Sequence, residues 1–238
     1  MSREPQILAC SGVLNPPEGF RHVGVQIWQA MRLADVRRPR VCLIATAVGD
    51  SREFIDGWMA RAATFGGDLS HLQLFTQPNV ADVRAHLLAQ DVIFVSGGSV
   101  VNLLAVWRAH RLDEILRECW ENGVVLAGQS AGSLCWHRGG VTDSFGDELD
   151  ALDDGLGFLP FSNGVHDDLG DQPRRSSFRR FVREGQLPAG YATEDGVALH
   201  YVGTRLHDVV SVLPDRNAWH VEAGEETALP ARCWVPAG

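Results

Sequence analysis

No stretch of the sequence approaches the roughly 18–20 consecutive apolar residues of a membrane-spanning helix, so no segment reads as a bilayer span. Positive charge is also short: 21 Lys plus Arg face 30 Asp plus Glu, a formal net charge of −9. General binding to nucleic acid or to an anionic membrane needs a cationic footprint, so neither is expected as a partner. A local basic pocket for a small anionic substrate stays open. Cysteine is sparse and scattered: Cys10, Cys42, Cys119, Cys135 and Cys233 are odd in number and form no CxxC pair or Cys/His cluster. Neither a disulfide framework nor a structural metal site fits that spacing. Met1 to Cys10 carries Arg3 and Glu4 and then runs into a strand-like stretch, unlike a secretory signal. The expectation is a reduced, cytoplasmic protein without a metal or organic cofactor. A Pro/Ser-rich linker, an internal repeat and low-complexity sequence are absent as well.

What remains is an ordinary globular composition, 45% apolar and 21% charged over 238 residues, which excludes global disorder and suits one large domain spanning 1–238. In the first half, short apolar runs alternate with segments of helical spacing. Gln6–Cys10, Val41–Thr46, Leu72–Phe75, Asp91–Val95 and Val124–Ala127 read as strands. Phe20–Leu33, Ser51–Phe65, Asn79–Gln90, Val101–Arg108 and Leu112–Glu121 read as helices. Strands that are apolar throughout, separated by helices, imply a parallel sheet covered on both faces. The fold class expected is α/β, a three-layer α/β/α sandwich with a mostly parallel central sheet. Beyond about residue 140, Thr142–Gly157 reads as loop and Arg174–Glu184 as a short basic helix. Val197–Val202, Val209–Leu213 and Trp219–Val221 read as antiparallel strands added to one side of the sheet.

The most specific short motif is Gly128-Gln129-Ser130-Ala131-Gly132, directly after the strand ending at Ala127. GxSxG between a strand and a helix describes a nucleophile elbow. A sharp turn holds the central residue in a strained conformation, and its oxygen projects at the carboxyl end of the sheet, where open α/β sheets place their sites. A second turn, Ser96-Gly97-Gly98-Ser99, follows the neighbouring strand. A backbone N–H from Gly97 or Gly98 could converge there with that of Ala131, and two such donors make an oxyanion hole. A nucleotide-binding turn ranks lower, because neither GxGxxG nor GxxxxGK[ST] is present.

Serine needs a base to act as a nucleophile at neutral pH. Of the nine histidines, His22, His71, His86 and His110 read as solvated side chains, and His200 as a face or core histidine within a strand. His166 lies in the loop-like Phe161-Ser-Asn-Gly-Val-His-Asp-Asp168 downstream of the elbow. Loops carry a disproportionate share of functional groups, so His166 leads on pattern.

At these residues the chain resembles the peptidase E family of serine peptidases, which includes cyanophycinase and shares the fold of class I glutamine amidotransferases. The resemblance covers roughly residues 6 to 212. It rests on five motifs in order: Gly-x-Ser-Ala-Gly after a parallel strand, the upstream Ser-Gly-Gly turn, Thr142-Asp-Ser-Phe-Gly146, Leu156-Gly-Phe-Leu-Pro160 leading to His166, and Gly190-Tyr-Ala-Thr-Glu-Asp-Gly196. It implies Ser130 as nucleophile and His166 as general base, with Gly98 and Ala131 supplying oxyanion N–H groups. Glu194 is the favoured carboxylate beside the imidazole, with Asp143 and Asp195 as alternates. A homodimer is left open.

Peptidase E is an aspartyl dipeptidase, so the resemblance implies a small peptide substrate with an N-terminal Asp. Arg174 and Arg175 fall where the family has its substrate-binding arginine, and a guanidinium is suited to a carboxylate. Their alternative is a solvated helix face shared with Arg179, Arg180 and Arg183. The chain departs from the pattern at Asp167-Asp168-Leu169. Two carboxylates there would repel an anionic side chain but could hold a free α-amino group.

Two rival readings use the same motif. An α/β-hydrolase esterase would place its base late, at His207 or His220. A non-catalytic amidotransferase-like protein would keep the scaffold to bind a small molecule. Trp107, Trp120 and Trp136 read as packing residues, and Cys135 as a buried, inert thiol.

Overall fold

The computed structural model describes residues 3–14 and 19–236. Its first half alternates strand and helix: β1 (Gln6–Cys10), α1 (Gly19–Leu33), β2 (Arg40–Ile44), α2 (Arg52–Ala63), β3 (Asp68–Leu72), α3 (Val83–Leu88), β4 (Val92–Val95), α4 (Val100–Ala109), α5 (Leu112–Glu121) and β5 (Val125–Gln129). The five strands pair in parallel in the order β1-β5-β4-β2-β3.

Successive side chains of a strand point to opposite faces, so a sheet sandwiched between helices needs apolar residues at both parities. Leu8, Leu43, Phe94 and Ala127 face one way and pack with Ile27 and Met31 of α1 and Ile55 and Trp58 of α2. Ile7, Ala9, Ile44, Val95 and Leu126 face the other way, against Leu87 of α3, Leu103, Leu104 and Trp107 of α4 and Leu116 and Trp120 of α5. Three helices start on a side chain that accepts an otherwise orphaned N–H. Ser51 takes that of Phe54, Asp82 that of Ala85, and Ser99 that of Asn102. The three tryptophans expected to pack inside do so, at 0% exposure for Trp107, 7% for Trp120 and 0% for Trp136. Cys135 is also fully buried, and burial pushes its thiol well above its ordinary value.

The third parallel strand lies earlier than its apolar signal. β3 occupies Asp68–Leu72 rather than Leu72–Phe75, because it is the sheet's edge strand and only Leu72 within it is buried. Leu74, buried beyond its end, contributed the misleading hydrophobicity.

The second half departs further from the expectation. It contains α6 (Ala131–Leu134), β6 (His137–Thr142), β7 (Asp150–Leu152), β8 (Leu159–Val165), α7 (Arg174–Arg183), β9 (Gly190–Thr193), β10 (Val197–Val202), β11 (Arg205–Ser211), β12 (Asn217–Glu222), β13 (Glu225–Pro230) and β14 (Arg232–Cys233). β10 and β11 extend the parallel sheet beyond β1 as antiparallel strands, and β14 completes that edge. The other strands build a second sheet, β13-β12-β9-β8-β6-β7. Thr142–Gly157 is therefore not all loop, and Trp219–Val221 belongs to the second sheet rather than to the first. The two sheets share one core through Leu159, Val165 and Ala218 on one side and Val197, Leu199 and Tyr201 on the other. α7 covers the far face of the second sheet with Phe178, Phe181 and Val182. Among the described residues, no helix is long and apolar enough to cross a membrane.

Candidate active site

β5 ends at Gln129, and the chain turns back at Ser130 with φ 51° and ψ −111°, a conformation that costs a non-glycine residue about 1–3 kcal/mol. Neighbouring contacts hold it there. The Ser130 N–H donates to the Cys10 carbonyl at 3.0 Å, and the Ser130 carbonyl accepts from Ser133 and Leu134 at 2.8 and 2.9 Å. The flanking glycines are required by close approach. A Cβ on Gly128 would lie 2.4 Å from the Gly132 carbonyl oxygen, and one on Gly132 would lie 2.4 Å from that of Val95. Strand β5, strand β4 and the turn after Ser130 thus meet backbone to backbone. α6 is a single turn of four residues, so it offers free N–H groups rather than an extended dipole.

His166 follows β8 and has a positive φ of 59°. Its N–H donates to the Ser11 hydroxyl at 2.8 Å, and that hydroxyl donates to the Thr193 carbonyl at 3.2 Å. The ring, 2% exposed, reaches Ser130 Oγ through Nε2 at 3.1 Å and Asp195 Oδ1 through Nδ1 at 2.5 Å. A carboxylate only accepts, so the ring proton sits on Nδ1 and Nε2 is left to accept from the serine hydroxyl.

The carboxylate beside the imidazole is that of Asp195, not Glu194. The two are neighbours in the turn between β9 and β10, where their side chains point to different sides. Glu194 accepts from the Asn217 N–H at 2.9 Å, towards β12. Asp195 Oδ2 also accepts from the Leu14 N–H, and the Asp195 N–H donates to Asp168 Oδ1, both at 2.8 Å. Burial pushes the Asp195 carboxyl up, but the His166 ring, the Leu14 N–H and the Arg216 charge more than offset this and hold it below its ordinary value. Asp143, the other alternate, bonds Arg174 and does not touch the ring.

The Gly97–Gly98 turn packs against the elbow: a Cβ on Gly97 would lie 3.3 Å from Ser130 Cβ. Gly98 has φ 129°, and a Cβ there would sit 2.3 Å from the Ala47 carbonyl oxygen, so only glycine fits. Among the described residues, no acceptor bonds the N–H of Gly98 or Ala131.

The two expected substrate arginines part company. Arg174 is buried, and donates to Gln172 Oε1 at 2.7 Å and to Asp143 Oδ2 at 2.5 Å. The next residue, Ser144, accepts from the Val100 N–H at 3.1 Å, which ties this corner to the start of α4, just past Gly98. Arg175 is not available there. It bonds Asp167 at 2.9 Å and Glu226 at 3.0 Å and lies 4.5 Å over the Trp219 ring. Arg179 closes the same cluster, bonding Asp167 at 2.6 Å and Glu226 at 2.6 Å. Asp167 is thereby taken up inside the fold, and Asp168, although exposed, is engaged by Arg216 at 2.6 Å as well as by the Asp195 N–H. The expectation that this pair could hold a free α-amino group is corrected.

His207 and His220, the bases an esterase arrangement would need, lie elsewhere. His207 packs on His200, and His220 packs on Tyr191. His86, expected to be solvated, is half-buried, with Nε2 3.6 Å from Cys42 Sγ, and burial lowers its pKa. Ser11 and Arg216, which support the imidazole and its carboxylate from distant parts of the chain, lie in no motif, and Asp168 stood out only as a candidate for an α-amino group. Among the described residues, no group of three or more His, Cys, Asp or Glu side chains is arranged to hold a metal ion.

Comparison with known proteins agrees with this geometry. Residues 7–209 match the model of peptidase family S51. A relative named as the uncharacterized peptidase YgaJ of Bacillus subtilis (strain 168) is 41% identical over 199 residues, covering 82% of this chain and 85% of its own. Two solved structures share the fold at low identity. One, named as a peptidase E protein from Listeria monocytogenes EGD-e, is 17% identical, with a TM-score of 0.64 over 88% of this chain and 100% of its own. The other, a peptidase from an acI-B1 Actinobacterium, is 18% identical, with a TM-score of 0.69 over 96% of this chain and 95% of its own. The two-sheet α/β fold is thus the peptidase E-like one, with its class I glutamine amidotransferase-like core. The chain belongs to peptidase family S51 and is a peptidase.

Proposed function

We propose that this peptidase is a serine enzyme that hydrolyses short peptides, in particular dipeptides with an N-terminal Asp. The observation that carries the reading is the continuous chain Ser130 Oγ, His166 Nε2, His166 Nδ1, Asp195 Oδ1, with links of 3.1 and 2.5 Å. Ser130 attacks the scissile carbonyl carbon as His166 accepts its proton. Asp195 stabilises the imidazolium that forms and fixes its orientation. The N–H groups of Gly98 and Ala131 take the developing oxyanion. As the tetrahedral intermediate collapses, the C–N bond breaks and His166 gives its proton to the leaving nitrogen. Water then attacks the acyl-enzyme with His166 again as base, releasing the acid and restoring the hydroxyl.

Arg174 supports the acidic preference. It is a buried guanidinium whose charge is met by a carboxylate that is itself 42% exposed, that of Asp143. A substrate carboxylate has the chemistry to bind beside Asp143 or in its place. Removing Arg174 leaves Asp143 able to turn to water, so the fold survives the change. The test is a library of dipeptides with both positions varied, assayed with the natural chain and with Arg174→Met. Preferential cleavage of Asp-Xaa, lost by about 100-fold or more in Arg174→Met, supports the reading. Equal cleavage of Asp-Xaa and Ala-Xaa, unchanged in the variant, contradicts the specificity.

A further inference from the structure

Beside the strand that carries Ser130 lies a cavity of about 400 Å³ to which the reaction above assigns nothing. Its walls include Val23 of α1, Phe54, Gly57 and Trp58 of α2, and Gln129, the residue before the nucleophile, together with the charged Glu53 and Arg61 of α2. Val23 and Phe54 are only partly covered by the core between these helices and the sheet, which leaves apolar surface to the cavity. Apolar surface of this kind, open to a cavity, suits an apolar side chain.

The geometry also selects which end of the substrate lies here. A Cβ built on Gly12 would sit 3.4 Å from His166 Cε1 and 3.8 Å from Gln129 Cβ. The imidazole and Gln129 therefore flank one glycine. The leaving nitrogen takes its proton from that imidazole, so the released residue lies on the ring's side. Arg174 is tied through the Asp143–Ser144 corner to α4, which packs on the opposite face of the sheet from α1 and α2. The two halves of the substrate thus diverge from Ser130 towards different faces.

We infer that this cavity receives the side chain of the residue released on cleavage and selects a large apolar one, packed against Val23 and Phe54. The inference rests on the serine peptidase reading and adds the second half of the substrate to it.

Gly57 provides the test. The nearest atoms to a Cβ there belong to the Arg61 guanidinium, 3.3 Å away. Gly57 also lies inside α2, where leucine is a better helix former. Gly57→Leu narrows the cavity from its wall. The measurement is kcat/KM for Asp-Leu, Asp-Phe, Asp-Ala and Asp-Gly, with melting curves to verify the fold. The natural chain is expected to favour Leu and Phe over Gly by about 10- to 100-fold, and Gly57→Leu to cut that preference to about threefold or less. If that variant fails to fold, Phe54→Ala reads the same property by removing an apolar wall, and is expected to cut the preference by about tenfold. Cleavage of all four dipeptides with no preference, or a preference that neither variant alters, overturns this inference while the serine peptidase reading stands. Failure of the folded natural chain to cleave any of them overturns both.

Discussion

Replacing Asp195 by Asn keeps the shape of the side chain beside His166 and reverses what it asks of the ring. The carboxylate accepts from Nδ1 at 2.5 Å, which leaves Nε2 unprotonated opposite the Ser130 hydroxyl at 3.1 Å. An asparagine amide turned to keep its Leu14 N–H bond donates to Nδ1 instead and moves the ring proton to Nε2. The base then faces the serine with a proton already in place. The imidazolium formed during attack also loses its counter-charge inside a site where His166 and Asp195 side chains are only 2% and 8% exposed. The expected loss is about 10⁴ in kcat/KM, or about 5.5 kcal/mol of barrier. Glu194→Gln is the matched control, because that side chain meets the Asn217 N–H and an amide oxygen can take over the bond. It should keep activity within about threefold and change stability by no more than about 1 kcal/mol. The assay is initial-rate hydrolysis of an Asp-Xaa dipeptide near neutral pH, with circular dichroism on both variants. If Glu194→Gln lost activity while Asp195→Asn kept it, the reasoning from geometry to role would be refuted.

Three further outcomes follow from the same contacts. His137 is fully buried between the Ser133 carbonyl and Tyr201, and burial lowers its pKa to about 4. Between an unfolded value near 6.5 and that folded value, the unfolded chain binds a proton the native chain refuses, so stability falls as pH falls through this window, by about 3 kcal/mol in all. Urea midpoints at pH 7 and pH 4.5 should converge in His137→Gln relative to the natural chain; an identical acid loss in both would exclude His137 as its source. Ser11→Ala strands the buried His166 N–H and should cost about 1–3 kcal/mol in denaturant melts together with a fall in kcat. Full stability and activity would show that water replaces the hydroxyl. Gly132→Ala drives a methyl into the Val95 carbonyl oxygen and should cost about 3 kcal/mol or more and disrupt the elbow, a result that a melting temperature near that of the natural chain would contradict.

The parallel half of the molecule was legible because both of its faces are buried, so Val41–Ile44 and Val92–Val95 announce themselves as unbroken apolar runs. The second sheet was not. β6 reads His-Arg-Gly-Gly-Val-Thr and β8 reads Leu-Pro-Phe-Ser-Asn-Gly-Val, with glycine and polar residues where strands pass close to each other and to α7. β8 takes β9 as a partner from beyond α7, which no local window contains. Ser130 and its glycines were legible because the elbow is a local device: the turn, the hydroxyl and both glycines lie within five residues. His166 stood out only by its loop-like surroundings, and it is in fact the first residue past a strand. The choice between Glu194 and Asp195 depends on which side of the β9–β10 turn each faces, and adjacency in sequence cannot settle that. Arg175 and Asp167 looked free because Glu226 and Trp219, which enclose them, arrive from strands β13 and β12.

The most direct measurement is hydrolysis of an Asp-Xaa dipeptide by Ser130→Ala, with its fold verified by circular dichroism. Loss of about 10⁶ in kcat, with His166→Ala falling as far and the double variant no further, is the expected result, since the two groups act as one unit. Turnover by folded Ser130→Ala near the natural rate would contradict the claim that this hydroxyl is the nucleophile.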